Sequence, residues 1–142
     1  MKHRTYAIEF DGYWRGVHLD RLPSLCGIFC VYGCQDHPEH KSLQLVRLIA
    51  IESADDVHAS VARRIAGLDW YKFLEGSEEL CFNFGHVAPE DRLRCEAALV
   101  NCNQPLEASE FKEQFPFDET TVSIRGQIAL LHPHITAHAP TP

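Results

Sequence analysis

Residues 43–51, Leu-Gln-Leu-Val-Arg-Leu-Ile-Ala-Ile, constrain the fold more than any other stretch of this sequence. So many apolar and β-branched residues in succession, after a polar stretch, predict a strand at the centre of a sheet. The preceding run, 25–34, holds Ile28, Phe29, Val31 and Tyr32 between Gly27 and Gly33 and reads as a strand, with 35–42 as a polar loop. Two strands joined so closely suit an antiparallel hairpin, the expected core pair of the sheet.

The remaining elements follow from the same periodicities. Residues 5–10 alternate with period two and stop at Asp11-Gly12, a first strand closed by a turn, with Tyr13 and Trp14 packing just beyond. Ser53 is a good N-cap, Asp56 falls at the third helical position, and Val57, Val61 and Ile65 recur at spacing four. A helix ended by Gly67 is expected there. In 79–87, Leu80, Phe82 and Phe84 alternate with Cys81, Asn83 and Gly85, the pattern of a half-buried strand. Pro89 opens a helix over 89–103, with Glu90 and Asp91 near its positive end. Residues 121–131 around Gly126 suit a hairpin or a strand and short helix, whereas 132–142, rich in Pro and His, lacks a core-forming pattern and is expected to be a flexible tail. The order strand, strand, strand, helix, strand, helix predicts an α+β fold, a small antiparallel sheet flanked by helices.

At 142 residues, 45% of them hydrophobic, the chain supports one domain, expected over 1–131. No apolar run approaches the roughly 18–20 residues that span a bilayer, and Met-Lys-His-Arg leads into strand-like sequence, so no membrane contact and a cytoplasmic location are expected. Six cysteines without a secretory segment then read as reduced thiols, most of them small core residues. The net charge of -7, with basic residues scattered, disfavours a nucleic-acid partner, because phosphate contacts need clustered Lys and Arg; a small local patch is still compatible. Arg63-Arg64 is the only adjacent basic pair and reads most simply as a solvated helix surface.

Three groups of residues invite a chemical reading. Cys26, Cys30 and Cys34, with His37 and His40 beyond, suggest a zinc-binding interaction module. Residues four apart on a strand are about 13 Å apart, however, too far for one tetrahedral zinc, so structural cysteines are favoured. His132, His134 and His138 are a weaker case, because a loose tail offers no preorganised geometry. His58 borders the apolar stripe of the first helix, where packing is the commoner role. Glu96 is the sharper anomaly: Leu93, Ala97 and Val100 mark a buried stripe at i, i+4 and i+7, and Glu96 lies on it. Burying an ionised carboxylate costs several kcal/mol unless a cation, a metal or hydrogen bonds compensate it. A structural role and a site role are equally open on this reading.

Gly27-Ile28-Phe29 on one strand, Ile49-Ala50-Ile51 ending the next, Glu96-Ala-Ala-Leu-Val100 on a later helix and Pro105 after it together resemble the GIY-YIG nuclease superfamily over about residues 25–108. The flanks 10–14 and 115–122 are similar to those of small stand-alone bacterial members, which makes the N-terminal strand and the C-terminal extension additions to that core. The resemblance implies a nuclease in which tyrosine activates water or a hydroxyl, arginine neutralises phosphate charge and glutamate holds one divalent cation, Mg or Mn. Several of those positions are substituted. The first tyrosine is Phe29, the second falls near Ile49, the arginine's place gives His58, Ala59 and Ser60, and the asparagine's falls on Ala108 beside Glu107. Tyr32 points to the opposite strand face from Phe29, and Arg63 comes a turn late.

The resemblance therefore implies, first, a GIY-YIG-like domain that has lost endonuclease activity, needs no cofactor and serves as a binding or regulatory module through a protein partner or self-association. The alternative is a divalent-metal-dependent DNA endonuclease or phosphodiesterase in which Glu96 holds the metal and His58 replaces the missing base or cation. That version requires His58 and Glu96 to face one cleft.

Overall fold

The computed structural model describes residues 3–37, 39 and 42–140. In chain order the elements are β1 (Arg4–Arg15), β2 (Gly27–His37), β3 (Ser42–Ala54), α1 (Val57–Ala66), β4 (Glu79–His86), α2 (Arg92–Asn103), β5 (Thr120–Gly126) and β6 (His134–Ala137), with short 3-10 turns at Gly16–Arg21, Tyr71–Phe73 and Glu110–Lys112. The fold is α+β, and its six strands form one sheet in the order β3-β2-β4-β1-β5-β6. The predicted β2–β3 hairpin is present and antiparallel. No helix among the described residues is long and apolar enough to cross a membrane.

The sheet is mixed and larger than the small antiparallel one expected, because β5 runs parallel to β1 from Arg4 opposite Thr120 to Phe10 opposite Gly126. A parallel neighbour needs a long crossover, and the whole chain between β1 and β5, residues 16–119, supplies it. The N-terminal strand is consequently an interior member of the sheet. It also continues past Asp11-Gly12, where a bulge between Gly12 and Trp14 replaces the expected turn. Gly12 takes φ 155°, a backbone angle that residues with a Cβ rarely adopt.

Residues 43–51 lie on the edge strand β3, so their expected central place is corrected. β2 is the strand buried along most of its length, by β3 and β4 at its sides and by a helix on each face. The outer edge of β3 is partly covered: Leu106 and Glu107 donate their N–H groups to the carbonyls of Leu48 and Ile49 at 3.2 and 2.8 Å. β4 is likewise buried on both faces, where the alternation predicted one. On the α2 side Ile28, Cys30 and Tyr32 pack with Cys95, Leu99 and Phe115. On the α1 side Phe29, Val31 and Phe82 pack with Val57, Val61 and Trp70.

Both helices start later than their capping signals predict. Asp56 caps α1 by accepting the Ala59 N–H at 3.0 Å, while Ser53 remains in β3. In α2 the expected stripe holds at Ala97 and Val100, which are buried, but not at Leu93, which is 49% exposed; Cys95, Ala98 and Leu99 complete the buried face. Small Cys and Ala side chains let the helix lie close to the sheet, and they carry too little hydrophobic signal to mark that face in the sequence. Finally, the expected loose tail from 132 is corrected by β6, whose Ile135 and Ala137 are buried on the α2 side while His134 and Thr136 face away. Four residues are too few to show an alternating pattern against a Pro- and His-rich background.

Candidate functional site

The end of β3 organises the candidate site because alternation along the strand sends successive side chains to opposite helices. Ser53 faces α2 and Glu52 faces α1. Glu96 Oε1 accepts both the Ser53 backbone N–H at 2.8 Å and the Ser53 hydroxyl at 2.5 Å. The same hydroxyl oxygen accepts a bond from the Arg92 guanidinium at 2.8 Å, and Arg92 Nε donates to Asp55 at 3.0 Å. Burial raises the pKa of Glu96, and the two Ser53 bonds and the Arg92 charge oppose that rise. Hydrogen bonds and the Arg92 charge thus offset part of the burial penalty that the helix position imposes.

On the other side of β3, Glu52 meets Arg64 of α1 at 2.9 Å. Arg64 also donates to Glu107, forms an ion pair with Asp69 at 2.8 Å and stands 4.7 Å over the Trp70 ring. One guanidinium is therefore divided among three carboxylates. Burial pushes the Glu52 carboxyl up to about 7, Arg64 opposes this, and the Glu107 and Glu96 charges add to it. Its Oε2 is buried with no hydrogen-bond partner.

Glu52, Arg64, Glu96, Glu107 and Glu110 are the charged walls of one cleft of about 430 Å³ along the β3 edge, with Val100 and Phe111 among its apolar ones. Ala108 lines it as well. His58 does not: its Nδ1 lies 3.0 Å from the Leu22 carbonyl, and its own N–H donates to the Pro23 carbonyl. His58 and Glu96 thus do not share this cleft. Phe29 and Ile49 are 0% exposed in the α1-side core, with the Phe29 ring 6.2 Å from that of Trp70. Tyr32 does lie on the opposite face, where it accepts a bond from the Asn83 amide at 3.3 Å. Arg63 is exposed and borders a separate cleft of about 350 Å³ with Ser53, Asp55 and Arg92.

Four of the cysteines, Cys30, Cys34, Cys81 and Cys95, are buried core residues, whereas Cys26 and Cys102 are half-buried. Cys30 and Cys34 are fully buried on the α2 side, and burial pushes the Cys30 thiol up to about 12. His40 lies outside the described residues. Among the described residues, no group of three or more His, Cys, Asp or Glu side chains could hold a metal ion.

Sequence reasoning missed Arg64, Glu52 and Ser53. For Arg64 a signal existed: it follows Val57 and Val61 at i+7 and i+3, on the buried stripe, so the test that singled out Glu96 applies to it equally. Its reading as solvated surface is corrected, since it is 24% exposed and shared by three acids. No protein-family description, curated protein or solved structure matches the chain.

Proposed function

We propose that the chain is a GIY-YIG-like domain without endonuclease activity that works as a binding or regulatory module, with the β3-edge cleft as its recognition surface. The observation that carries this reading is the burial of Phe29 and Ile49, which sit where the family's phenols would be. Neither side chain can exchange a proton, and neither reaches the cleft lined by Glu96. Glu96 Oε1, the remaining acidic marker, is already engaged by Ser53. The β2–β3 hairpin, α1 and α2 follow in the order that the resemblance describes.

The test is incubation of purified protein with supercoiled plasmid DNA in the presence of Mg²⁺ or Mn²⁺. The wild-type protein is expected to nick no more than its Glu96→Ala variant. Metal-dependent nicking that disappears in that variant would overturn the reading.

A further inference from the structure

Residues 105–109 form a loop across the edge of β3, and its ends are tied down. Gln104 donates its backbone N–H to the Val100 carbonyl at 2.9 Å and its side-chain amide to the Lys112 carbonyl at 2.8 Å, while the Asn101 amide donates to the Phe111 carbonyl at 2.9 Å. The middle is held more lightly. It rests on the buried Pro105, on the Leu106 and Glu107 bonds to β3, and on the contact of the Glu107 carboxylate with Arg64. Leu106 is 49% exposed, and Ala108 is exposed as well. Segments with few buried contacts open locally without unfolding the rest of a protein.

The charges that hold the middle down are unbalanced. Glu52, Glu107 and Asp69 share the single Arg64 guanidinium, and the side chains of Glu52, Arg64 and Glu107 are only 23% or 24% exposed, so water screens them weakly. The charged groups facing Glu52 are Arg64 from α1, Glu107 from the loop and Glu96 from α2, whereas its partner in β2, Phe29, brings no charge. Glu52 Oε2 is buried without a partner, and Glu107 is within hydrogen-bond reach of Glu52. One proton remedies both faults: a carboxyl O–H on Glu52 donates to the Glu107 carboxylate, and the cluster loses one negative charge.

We propose that residues 105–109 are a pH-gated strap over the β3-edge cleft, closed while Glu52 and Glu107 share a proton and lifted from β3 once that proton is lost. Loss leaves two carboxylates side by side with one guanidinium divided between them and Asp69, and they repel. Glu52 is fixed in the sheet, so the loop that carries Glu107 moves. Lifting frees the Leu48 and Ile49 carbonyls at the sheet edge and opens the cleft wall formed by Glu107, Ala108 and Ser109. Burial, with the Glu107 and Glu96 charges added, holds the Glu52 carboxyl at about 7 when the strap is down, above the ordinary 4.5 it regains in water. The closed form therefore keeps its advantage below pH 4.5 and loses it as pH rises through 7. Control of recognition by the strap rests on the reading of this cleft as a recognition surface. Movement of the strap does not, and it is measured without any partner or DNA.

The experiment is amide hydrogen exchange of the full chain, followed by NMR at pH 6 and pH 8 and corrected for the intrinsic pH dependence of exchange. Protection of the Leu106 and Glu107 amides is expected to fall about tenfold between the two in the wild type, and to stay below that of the β2 amides at both, which separates lifting from global unfolding. In Glu52→Gln the fall should vanish, because the amide donates to Glu107 at either pH. Glu107→Gln should abolish it likewise, and serves if circular dichroism shows that Glu52→Gln does not fold. Unchanged protection in the wild type, an equal fall in a folded variant, or protection equal to that of the β2 amides would overturn the proposal.

Discussion

Glu96 and Glu52 lie at the same end of β3 on opposite faces of the sheet, and burial treats them differently. Glu96 meets a serine that offers a backbone N–H and a hydroxyl to one carboxylate oxygen, backed by Arg92. Glu52 meets a full positive charge, yet that charge is shared with Glu107 and Asp69, and one Glu52 oxygen has no partner. A formal ion pair is thus no guarantee of a well-held anion. What decides the outcome is how many acceptors compete for each donor.

The largest expected break in this comparison is Arg64→Met. Removing the shared guanidinium leaves three carboxylates without compensation, and a loss of about 3 kcal/mol is expected in urea unfolding at pH 8, because a partly buried charge left unpaired is costly. Adding Glu52→Gln should restore at least about 1 kcal/mol; additive losses instead would show that Glu52 and Arg64 are not coupled.

A titration sharpens the same contrast. The folded-state value for Glu52, about 7, lies above the ordinary 4.5, so the folded chain holds this proton more tightly than the unfolded one. Its contribution is full below the unfolded value and is lost as pH rises through 7. Wild-type stability is expected to fall between about pH 4.5 and 7.5 by about 2 kcal/mol more than that of Glu52→Gln. Parallel pH curves for the two proteins would contradict the shift.

On the other face the expected effects are smaller. Glu96→Ala strands the Ser53 N–H and should cost about 1.5 kcal/mol, while Glu96→Gln, which keeps one acceptor oxygen, should cost about half of that. Equal losses would assign the effect to charge instead of hydrogen bonding. Least of all, Asp56→Ala removes the α1 cap and should cost about 1 kcal/mol, read as a shifted urea midpoint with unchanged slope.

The elements that make the site were legible in the sequence as far as β4 and α2, because each is long enough to repeat its period. Their neighbours were not. The sequence of 43–51 shows apolar residues but carries no mark of which strand lies beside it, and the edge position came from β2 and β4 pairing on the far side. Glu96 stood out because a carboxylate on an apolar stripe is costly. Ser53 was hidden by its suitability as a helix cap, a local role that Asp56 took over once β3 extended to Ala54. Arg64 was masked by Arg63, since an adjacent basic pair resembles solvated surface even when one member turns inward.

The parallel pairing of β1 with β5 also governs how the chain reaches this structure. Arg4 lies beside Thr120, so β1 emerges from the ribosome long before the strand that will cover its free edge. Until then it can pair with β4 only, and its other side stays open to association with other chains. Closing a contact between such distant segments slows the final step relative to the β2–β3 hairpin, whose strands are neighbours in sequence. Assembly of the sheet should therefore finish where synthesis is late, at the seam between β1 and β5.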